Sequence, residues 1–268
     1  MQLNSYGSTL NKFRLVPTIG VHNFRDFGGY RALDGGTITK GKLYRSGEHA
    51  HSTESDMVVI RALKLSAIVD LRGRTEREKS PSHYPTELTA KVICPDGETA
   101  VVAPHVDAAS NALSAMAARK NMCDQYSGLP FRPVLIDVYR QYFQAVQAST
   151  HATLVHCTAG KDRTGLLVAL LHTALGVHSS DIFEDYLLTN SVGDVSARVE
   201  ALTQDLKRFF GNVSDEAVRV ITSVEPAFLQ ASFDAITSNC GSVDAYLEEI
   251  LGVNASTRVK IASHLIAQ

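Results

Sequence analysis

The stretch "HCTAGKDRTG", His156 to Gly165, decides the fold of this chain. The short β-branched run "ATLVHC" before it, Ala152 to Cys157, predicts a strand, and the apolar run after it predicts a helix from Thr164 to Leu175. A strand that turns sharply into a helix leaves the backbone N–H groups between them without a secondary-structure partner. The stretch therefore predicts an anion-binding loop at the positive N-terminal end of a helix.

The two ends of this loop carry complementary chemistry. Arg163 supplies a planar fork that can hold two phosphate oxygens. Cys157 lies in the same positive field, which favours its thiolate form and prepares it for in-line attack on a phosphate ester. Thr164 is expected to donate its hydroxyl to the cysteine sulfur and so to help the sulfur leave. These residues predict a phosphatase that works through a cysteinyl-phosphate intermediate.

The other loop residues are expected to bind phosphate or to support the site. Thr158, Ala159 and Gly160 would bind phosphate through the backbone. Lys161 is expected to add a positive charge at the rim, suited to a substrate with more than one phosphate. We interpret His156 as an orienting hydrogen-bond donor rather than a proton carrier.

Two carboxyl groups could protonate the leaving group. Asp162 lies inside the loop, where a charge complementing the helix N-terminus is the competing interpretation. Asp70 ends the predicted strand "LSAIVDLRG", Leu65 to Gly73, where anchoring a nearby arginine is the competing interpretation. The residues alone leave both roles open.

Strands, then a strand–loop–helix unit, then successive helices predict one α/β domain over residues 1–268 with a helix-rich C-terminal half. A hairpin is predicted within Gly28 to Gly47, around Asp34-Gly35. Residues 108–119 are predicted to be helical and residues 124–133 to form a loop. Apolar spacing predicts a helix from Val134 to Val146. The helices expected after Ser180 span residues 180–191, 195–210, 214–222, 225–238, 242–251 and 256–266.

Composition excludes several classes of partner. The net charge is −2, with 44% hydrophobic and 20% charged residues, so neither a nucleic acid nor an anionic membrane is expected as a bulk partner. No run approaches the roughly 18 apolar residues of a membrane span. The N-terminal stretch lacks a signal-peptide pattern, so we expect a cytoplasmic protein, or export by a route without a cleavable signal peptide. The four cysteines show no metal-like spacing, which favours reduced thiols and no metal.

The loop resembles the Cys-x5-Arg-Ser/Thr signature of the cysteine-dependent protein tyrosine phosphatases. Its Lys-Asp pair and four further motifs are similar to the atypical bacterial group of the mycobacterial tyrosine phosphatase B and listerial lipid phosphatase type. The motifs are "NFRDFGGY" (residues 23–30), "GKLYRSGEH" (41–49), "IVDLRGRTERE" (68–78) and "EDYLLTN" (184–190). The resemblance covers nearly the whole chain, except about residues 99–130 and 191–223.

This resemblance implies a central, mostly parallel sheet flanked by helices, and a hydrolase that needs no metal or cofactor. The partners it implies are phosphotyrosine proteins and peptides, phosphoserine and phosphothreonine as well, and in several members phosphoinositides. Cys157 matches the nucleophile, Arg163 the phosphate binder and Asp162 the general acid, while Asp70 matches a supporting aspartate. Lys161 matches the lysine linked with phosphoinositide activity. The chain has no Trp, so it lacks the mobile Trp-Pro-Asp loop of animal enzymes, which supports an acid within the loop.

Three expectations concern the surroundings of the loop. Arg45 is expected to face the site and add positive field. The "NFRDFGG" motif is expected to be structural, with Arg25 and Asp26 paired. Residues 191–223 could be a helical lid or ordinary packing.

Two rival functions use the same kind of loop. One is a rhodanese-like sulfurtransferase or an arsenate reductase, but reduction of arsenate needs a resolving cysteine, and the remaining cysteines have no obvious placement for it. The other is a phosphopeptide-binding module without turnover. Against the module stands the intact set of Cys157, Asp162, Arg163 and Thr164.

Overall fold

The computed structural model describes residues 14–32, 35–99, 114–192 and 214–267, and the pairs 195–196, 199–200 and 203–204. Its centre is a five-stranded sheet in the order β1-β3-β6-β4-β5. Strands β3, β6, β4 and β5 run parallel, and β1 is antiparallel to β3. The strands are β1 (Arg25–Asp26), β2 (Thr37–Ile38), β3 (Leu43–Ser46), β4 (Leu65–Asp70), β5 (Lys91–Ile93), β6 (Ala152–His156) and β7 (Ile266–Ala267). Strands β2 and β7 form a separate antiparallel pair.

Helices follow the strands and make up most of the C-terminal half. They are α1 (Glu54–Ala62), α2 (Arg74–Lys79), α3 (Ala115–Gly128), α4 (Pro133–Ala148), α5 (Asp162–Ala174), α6 (Ser179–Leu187), α7 (Asp215–Thr222), α8 (Pro226–Cys240), α9 (Val243–Ala245) and α10 (Ala255–Leu265). Short 3₁₀ turns extend α3 and α6, and a π-helical turn, Tyr246–Ile250, follows α9. The predicted α/β class with a mostly parallel sheet and a helix-rich second half is confirmed.

Strand β6 is the central strand of the sheet, and it ends directly before Cys157. All five of its residues are buried, as expected for a central parallel strand covered on both faces. His156 at its end is in register with Ser46 of β3 and with Asp70 of β4. The segments that leave these three strands therefore meet at one edge of the sheet, the edge where α/β proteins form their sites.

The loop predicted over residues 124–133 is wrong. Helix α3 continues to Gly128, and a 3₁₀ turn then leads directly into α4. Helix α8 packs along α3, and Ser232 Oγ donates a hydrogen bond of 2.7 Å to the carbonyl oxygen of Tyr126. This packing outweighs the local Gly and Pro signals. Of the helix predicted over residues 108–119, the first six lie outside the described residues.

The hairpin predicted within residues 28–47 forms in its first part: Ile38 N–H donates to Tyr30 O at 2.8 Å, and Ala32 N–H donates to Gly36 O at 2.9 Å. Strand β2 pairs with β7, whereas β3 pairs with β1 and β6. Within this hairpin Arg31 and Thr37 form an antiparallel bridge, and Gly29 N–H donates to Ile38 O at 2.6 Å; β3 takes no part in it. Asp34 lies outside the described residues.

One helix boundary also differs from the predictions. Helix α5 begins at Asp162, two residues before the predicted start. The helix predicted over residues 195–210 lies mostly outside the described residues. Residues 191–223 were expected to be either a lid or ordinary packing. Their last part, α7, packs into the core through Ala217, Val218, Val220 and Ile221, and residues 205–213 lie outside the described residues. Within the described ranges, no helix has the length and apolar character needed to span a bilayer.

His172 on α5 provides a test of the packing against the sheet. Its ring is fully buried between Phe27 and Tyr30, and Nε2 lies 2.9 Å from the carbonyl oxygen of Phe27. Burial lowers the pKa of His172, so the unfolded chain takes up a proton before the folded one does. The stability that this neutral ring provides is present above about pH 6.5 and is lost as the pH falls below it.

We therefore expect the difference in unfolding free energy between the wild type and His172→Gln to shrink from pH 7.5 to pH 5, by at most about 1.4 kcal/mol per pH unit below 6.5. Urea unfolding at constant ionic strength measures it. A difference that is equal at both pH values would contradict the assignment.

Candidate active site

The loop between β6 and α5 carries the cysteine at its base. Cys157 follows the last residue of β6 and is 2% exposed. Helix α5 begins five residues later, so its first N–H groups and its positive end face the loop. Such an arrangement stabilises an anion next to the sulfur.

Carbonyl groups of the loop are bound from outside. The backbone N–H of Glu48 donates a hydrogen bond of 3.0 Å to the carbonyl oxygen of Thr158. The Gly160 carbonyl accepts from Arg45 Nη2 at 2.9 Å and from Asn23 Nδ2 at 2.8 Å. Gly160 has a φ of +65°, and a Cβ there would lie 2.2 Å from Ser46 O, so only glycine fits this turn. The loop shape is thus fixed by its surroundings.

Arg45 was predicted to face the phosphate side of the loop. Instead it lies behind the loop, where it binds the Gly160 carbonyl. It is fully buried, and its Nη1 donates to Asp185 Oδ2 at 2.6 Å. Arg25 also pairs with Asp185, through Nε at 3.5 Å and through Nη2 to the backbone oxygen at 2.9 Å. The predicted Arg25–Asp26 pair is therefore not formed; Asp26 instead accepts from the backbone of Gly28 and Gly41.

Charge explains why this cluster forms. Burial would raise the pKa of Asp185, but the guanidinium groups of Arg25 and Arg45 lower it to about 2. Burial and the neighbouring Arg45 lower the pKa of Arg25 to about 9. One carboxylate thus offsets much of the repulsion between two buried cations.

Arg163 is held by the carboxylate of Glu76, a residue that the loop sequence does not indicate. Its Nη1 and Nη2 donate to the two oxygens of Glu76 at 2.6 and 2.8 Å, a bidentate pair. Nη1 also donates to Thr99 Oγ1 at 2.7 Å. Its Nε is buried and has no hydrogen-bond partner among the described residues. That donor is available to an anion in the loop.

Glu76 is ionised at neutral pH. Burial would raise its pKa, but hydrogen bonds and charge from Arg163, with a hydrogen bond of 2.5 Å from Thr158 Oγ1, lower the pKa to about 2. The side chain of Thr158 is therefore bound to Glu76, while its carbonyl oxygen accepts from Glu48 N–H.

Asp70 and His156 form a neighbouring cluster. Burial would raise the pKa of Asp70, but the His156 ring and three hydrogen bonds from the Arg72 side chain bring it to about 2. Asp70 thus anchors Arg72. Burial lowers the pKa of His156, whose Nε2 lies 2.8 Å from Tyr84 Oη. The hydrogen bond to Tyr84 fixes the His156 ring, which is consistent with the predicted orienting role.

Asp162, the first residue of α5, is buried. Its Oδ1 accepts from Tyr126 Oη at 2.6 Å, and Tyr186 Oη donates to Tyr126 Oη at 2.7 Å. Lys161 Nζ lies 3.7 Å from the same carboxyl oxygen. A chain of buried hydroxyl groups therefore fixes this carboxyl group.

Lys161 was predicted to lie at the rim of the site. Instead it is buried, with 2% of its surface exposed. Its Nζ donates to the carbonyl oxygens of Ile221 and Ser223, the latter at 3.2 Å, at the C-terminal end of α7. A cation is favourable at that end of a helix because unpaired carbonyls and the dipole meet there. The prediction failed because the position of α7 cannot be read from the loop sequence.

The predicted bond from Thr164 to the cysteine sulfur is not formed. Thr164 Oγ1 is buried and has no hydrogen-bond partner in the part of the chain that the structure describes.

Three residues that hold the loop were missed: Asn23, Glu76 and Asp185. Each lies inside one of the motifs quoted above, so motif membership was the available signal. Their chemistry shows only when their partners are known.

The Glu76–Arg163 pair generates a prediction about stability. Glu76→Gln should lower the free energy of unfolding by about 1–3 kcal/mol at pH 7, because it removes charge-assisted bonds to a buried guanidinium. Glu78→Gln, an exposed control on the same helix, should change it by less than about 0.5 kcal/mol. The Glu76 contribution is present above about pH 4.5 and is lost as the pH falls toward 2. Equal effects of the two variants in urea unfolding would contradict the pair.

Comparison with known proteins agrees with this geometry. The pattern of the tyrosine phosphatase family matches residues 16–267. "Putative tyrosine-protein phosphatase H16_A0669" of Cupriavidus necator is 30% identical over 255 residues, which cover 92% of this chain and 86% of that protein. "Triple specificity protein phosphatase PtpB" of Mycobacterium tuberculosis is 28% identical over 269 residues, covering 89% and 94%. With the family pattern matched across nearly all of its length, the chain belongs to the tyrosine phosphatase family and is a protein tyrosine phosphatase.

Proposed function

We propose that the chain hydrolyses phosphate monoesters of proteins through a cysteinyl-phosphate on Cys157. Phosphotyrosine is the first substrate class, with phosphoserine and phosphothreonine in its range. The observation that supports this is the buried Arg163 Nε, a donor without a partner among the described residues, in a loop with the cysteine at its base. The name of the mycobacterial relative, a triple specificity phosphatase, is consistent with the wider range.

The reaction has two steps. The Cys157 thiolate attacks phosphorus, an S–P bond forms, the P–O ester bond breaks, and the leaving oxygen takes a proton from Asp162. A water molecule then attacks phosphorus and gives its proton to Asp162. The S–P bond breaks and the thiolate returns. Loop N–H groups and Arg163 stabilise the equatorial oxygens in both steps.

Asp162 is a better candidate than Asp70 for the proton donor. With its pKa at about 2 and Arg72 bound to both of its oxygens, Asp70 carries no proton near neutral pH. Asp162 lies within the loop, and its Oδ1 is held by Tyr126. Asp162 is the sequence neighbour of Arg163, the proposed phosphate binder, and this position within the loop supports its assignment as the acid.

Phosphoinositides are the second substrate class to test. The sequence-based case for them depends on the charge of Lys161, and that charge is directed to the end of α7. Lys161 would have to leave Ile221 and Ser223 to contact a second phosphate. For this reason we place protein phosphoesters first.

Substituting the nucleophile tests the covalent mechanism. Cys157→Ser should reduce hydrolysis of a phosphotyrosine peptide by at least about 10⁴-fold while the peptide still binds, because only the attacking atom is lost. Cys94→Ser, which changes an exposed thiol, is the matched control and should retain activity. Phosphate release and calorimetric binding measure the two properties. Turnover near the wild-type rate in Cys157→Ser would exclude the mechanism, and a wild type that binds the peptide without turnover would make the chain a binding module.

Leaving-group dependence tests the acid. Asp162→Asn should slow release of phosphate from a phosphoserine peptide by about 10²–10⁴-fold. The same substitution should slow hydrolysis of p-nitrophenyl phosphate by less than about tenfold, because its leaving group needs little protonation. Steady-state kcat values with both substrates provide the comparison. Equal slowing would move the acid role to another group.

A further inference from the structure

Asn23 contacts two peptide groups of the loop, and the one at Gly160 is also held by Arg45 Nη2. Asn23 Nδ2 lies 3.2 Å from the carbonyl oxygen of Ala159 and 2.8 Å from that of Gly160. In a trans peptide the C=O and the following N–H point in opposite directions. The N–H groups of Gly160 and Lys161 therefore point away from Asn23, toward the side of the loop that holds Cys157.

The orientation of the Asn23 amide is itself determined. Arg25 Nη1 donates to Asn23 Oδ1 and, at 3.4 Å, to the Asn23 backbone oxygen. A guanidinium has only donors, so the amide oxygen must face Arg25 and the NH₂ group must face the loop carbonyls. Asn23 also has a φ of +58°, a left-handed conformation that asparagine tolerates better than most residues. Sequence neighbours thus prepare a donor for a loop 137 residues away.

We propose that Asn23 is a positioning residue for the phosphate site. Its amide, fixed by Arg25, aims the N–H groups of Gly160 and Lys161 at the phosphoryl oxygens. It does not touch the substrate. The inference rests on the proposed function, because it assigns these two donors to the phosphate of that reaction.

Two substitutions test it without straining the backbone. Asn23→Gly keeps the left-handed conformation at no steric cost and removes the amide. Asn23→Asp keeps the acceptor for Arg25 but places a second acceptor against the carbonyls of Ala159 and Gly160. Asp26→Asn is the matched control, because Asp26 is a buried residue of the same strand as Arg25 and its carboxylate accepts hydrogen bonds from the backbone of Gly28 and Gly41.

The probe is inorganic phosphate, added to ¹⁵N-labelled protein in a Cys157→Ser background. With Asn23 intact, phosphate should shift the amide protons of Gly160 and Lys161 downfield. In Asn23→Gly and Asn23→Asp the Gly160 shift should be lost and the Lys161 shift reduced, because Arg45 still binds the Gly160 carbonyl, and the Kd for phosphate should rise about ten- to hundredfold. With the cysteine present, kcat should fall by a similar factor, at or below the effect of losing one oxyanion donor outright. Asp26→Asn should lower Tm but leave the phosphate Kd within about twofold.

The outcomes separate this inference from the function it rests on. Unchanged phosphate affinity and amide shifts in either folded Asn23 variant would overturn the positioning role and leave the covalent mechanism intact. Equal weakening by Asp26→Asn would reduce Asn23 to a general stabilising role and also overturn it. If phosphate does not shift the Gly160 and Lys161 amides with Asn23 intact, the inference is wrong even if neither variant folds. No phosphate binding at all in Cys157→Ser would count against the proposed function.

Discussion

The carboxylate of Asp185 faces two guanidinium groups that are as fully buried as it is. Arg45 is 2.6 Å from it, and Arg25 contacts it on the other side. Without this negative charge, two cations would remain buried and uncompensated, and removing one partner of a buried ion pair costs about 3–5 kcal/mol. The three side chains come from α6, β3 and β1, so one charge balance joins three distant parts of the chain.

The Glu76–Arg163 ion pair lies on another side of the loop and holds a side chain rather than loop carbonyls. Glu76 and Arg163 share two hydrogen bonds, and Glu76 keeps partial exposure. The Asp185 cluster holds loop carbonyls, whereas Glu76 holds the guanidinium and leaves its Nε available. The loop backbone and the arginine, the two parts that we propose bind the phosphate, are thus oriented by different carboxylates.

Local sequence was enough to identify the strand–loop–helix unit, because β6 and α5 have continuous apolar runs and the loop has its chemistry in ten consecutive residues. It was not enough for side chains whose direction depends on tertiary packing. Arg45 and Lys161 were expected to face the substrate, yet each is drawn to oxygen atoms of distant segments. The Glu76–Arg163 pair joins residues 87 positions apart, and no local pattern reports such a contact. The helix through residues 124–128 was missed because α8, which stabilises it, comes a hundred residues later.

The position of β6 between β3 and β4 has a consequence for how the molecule forms. Both neighbours precede it in the chain by a long interval; Ser66 of β4 bonds to Ala152 across 86 residues, and Lys42 before β3 bonds to Thr150 across 108. A nascent chain that ends before β6 cannot join β3 and β4 into one sheet, because the strand that lies between them is not yet synthesised. Non-local pairing of this kind slows folding, since loop-closure entropy must be overcome before contacts form. The thiol of Cys157, which follows β6 directly, therefore acquires its surroundings in the same event that completes the sheet.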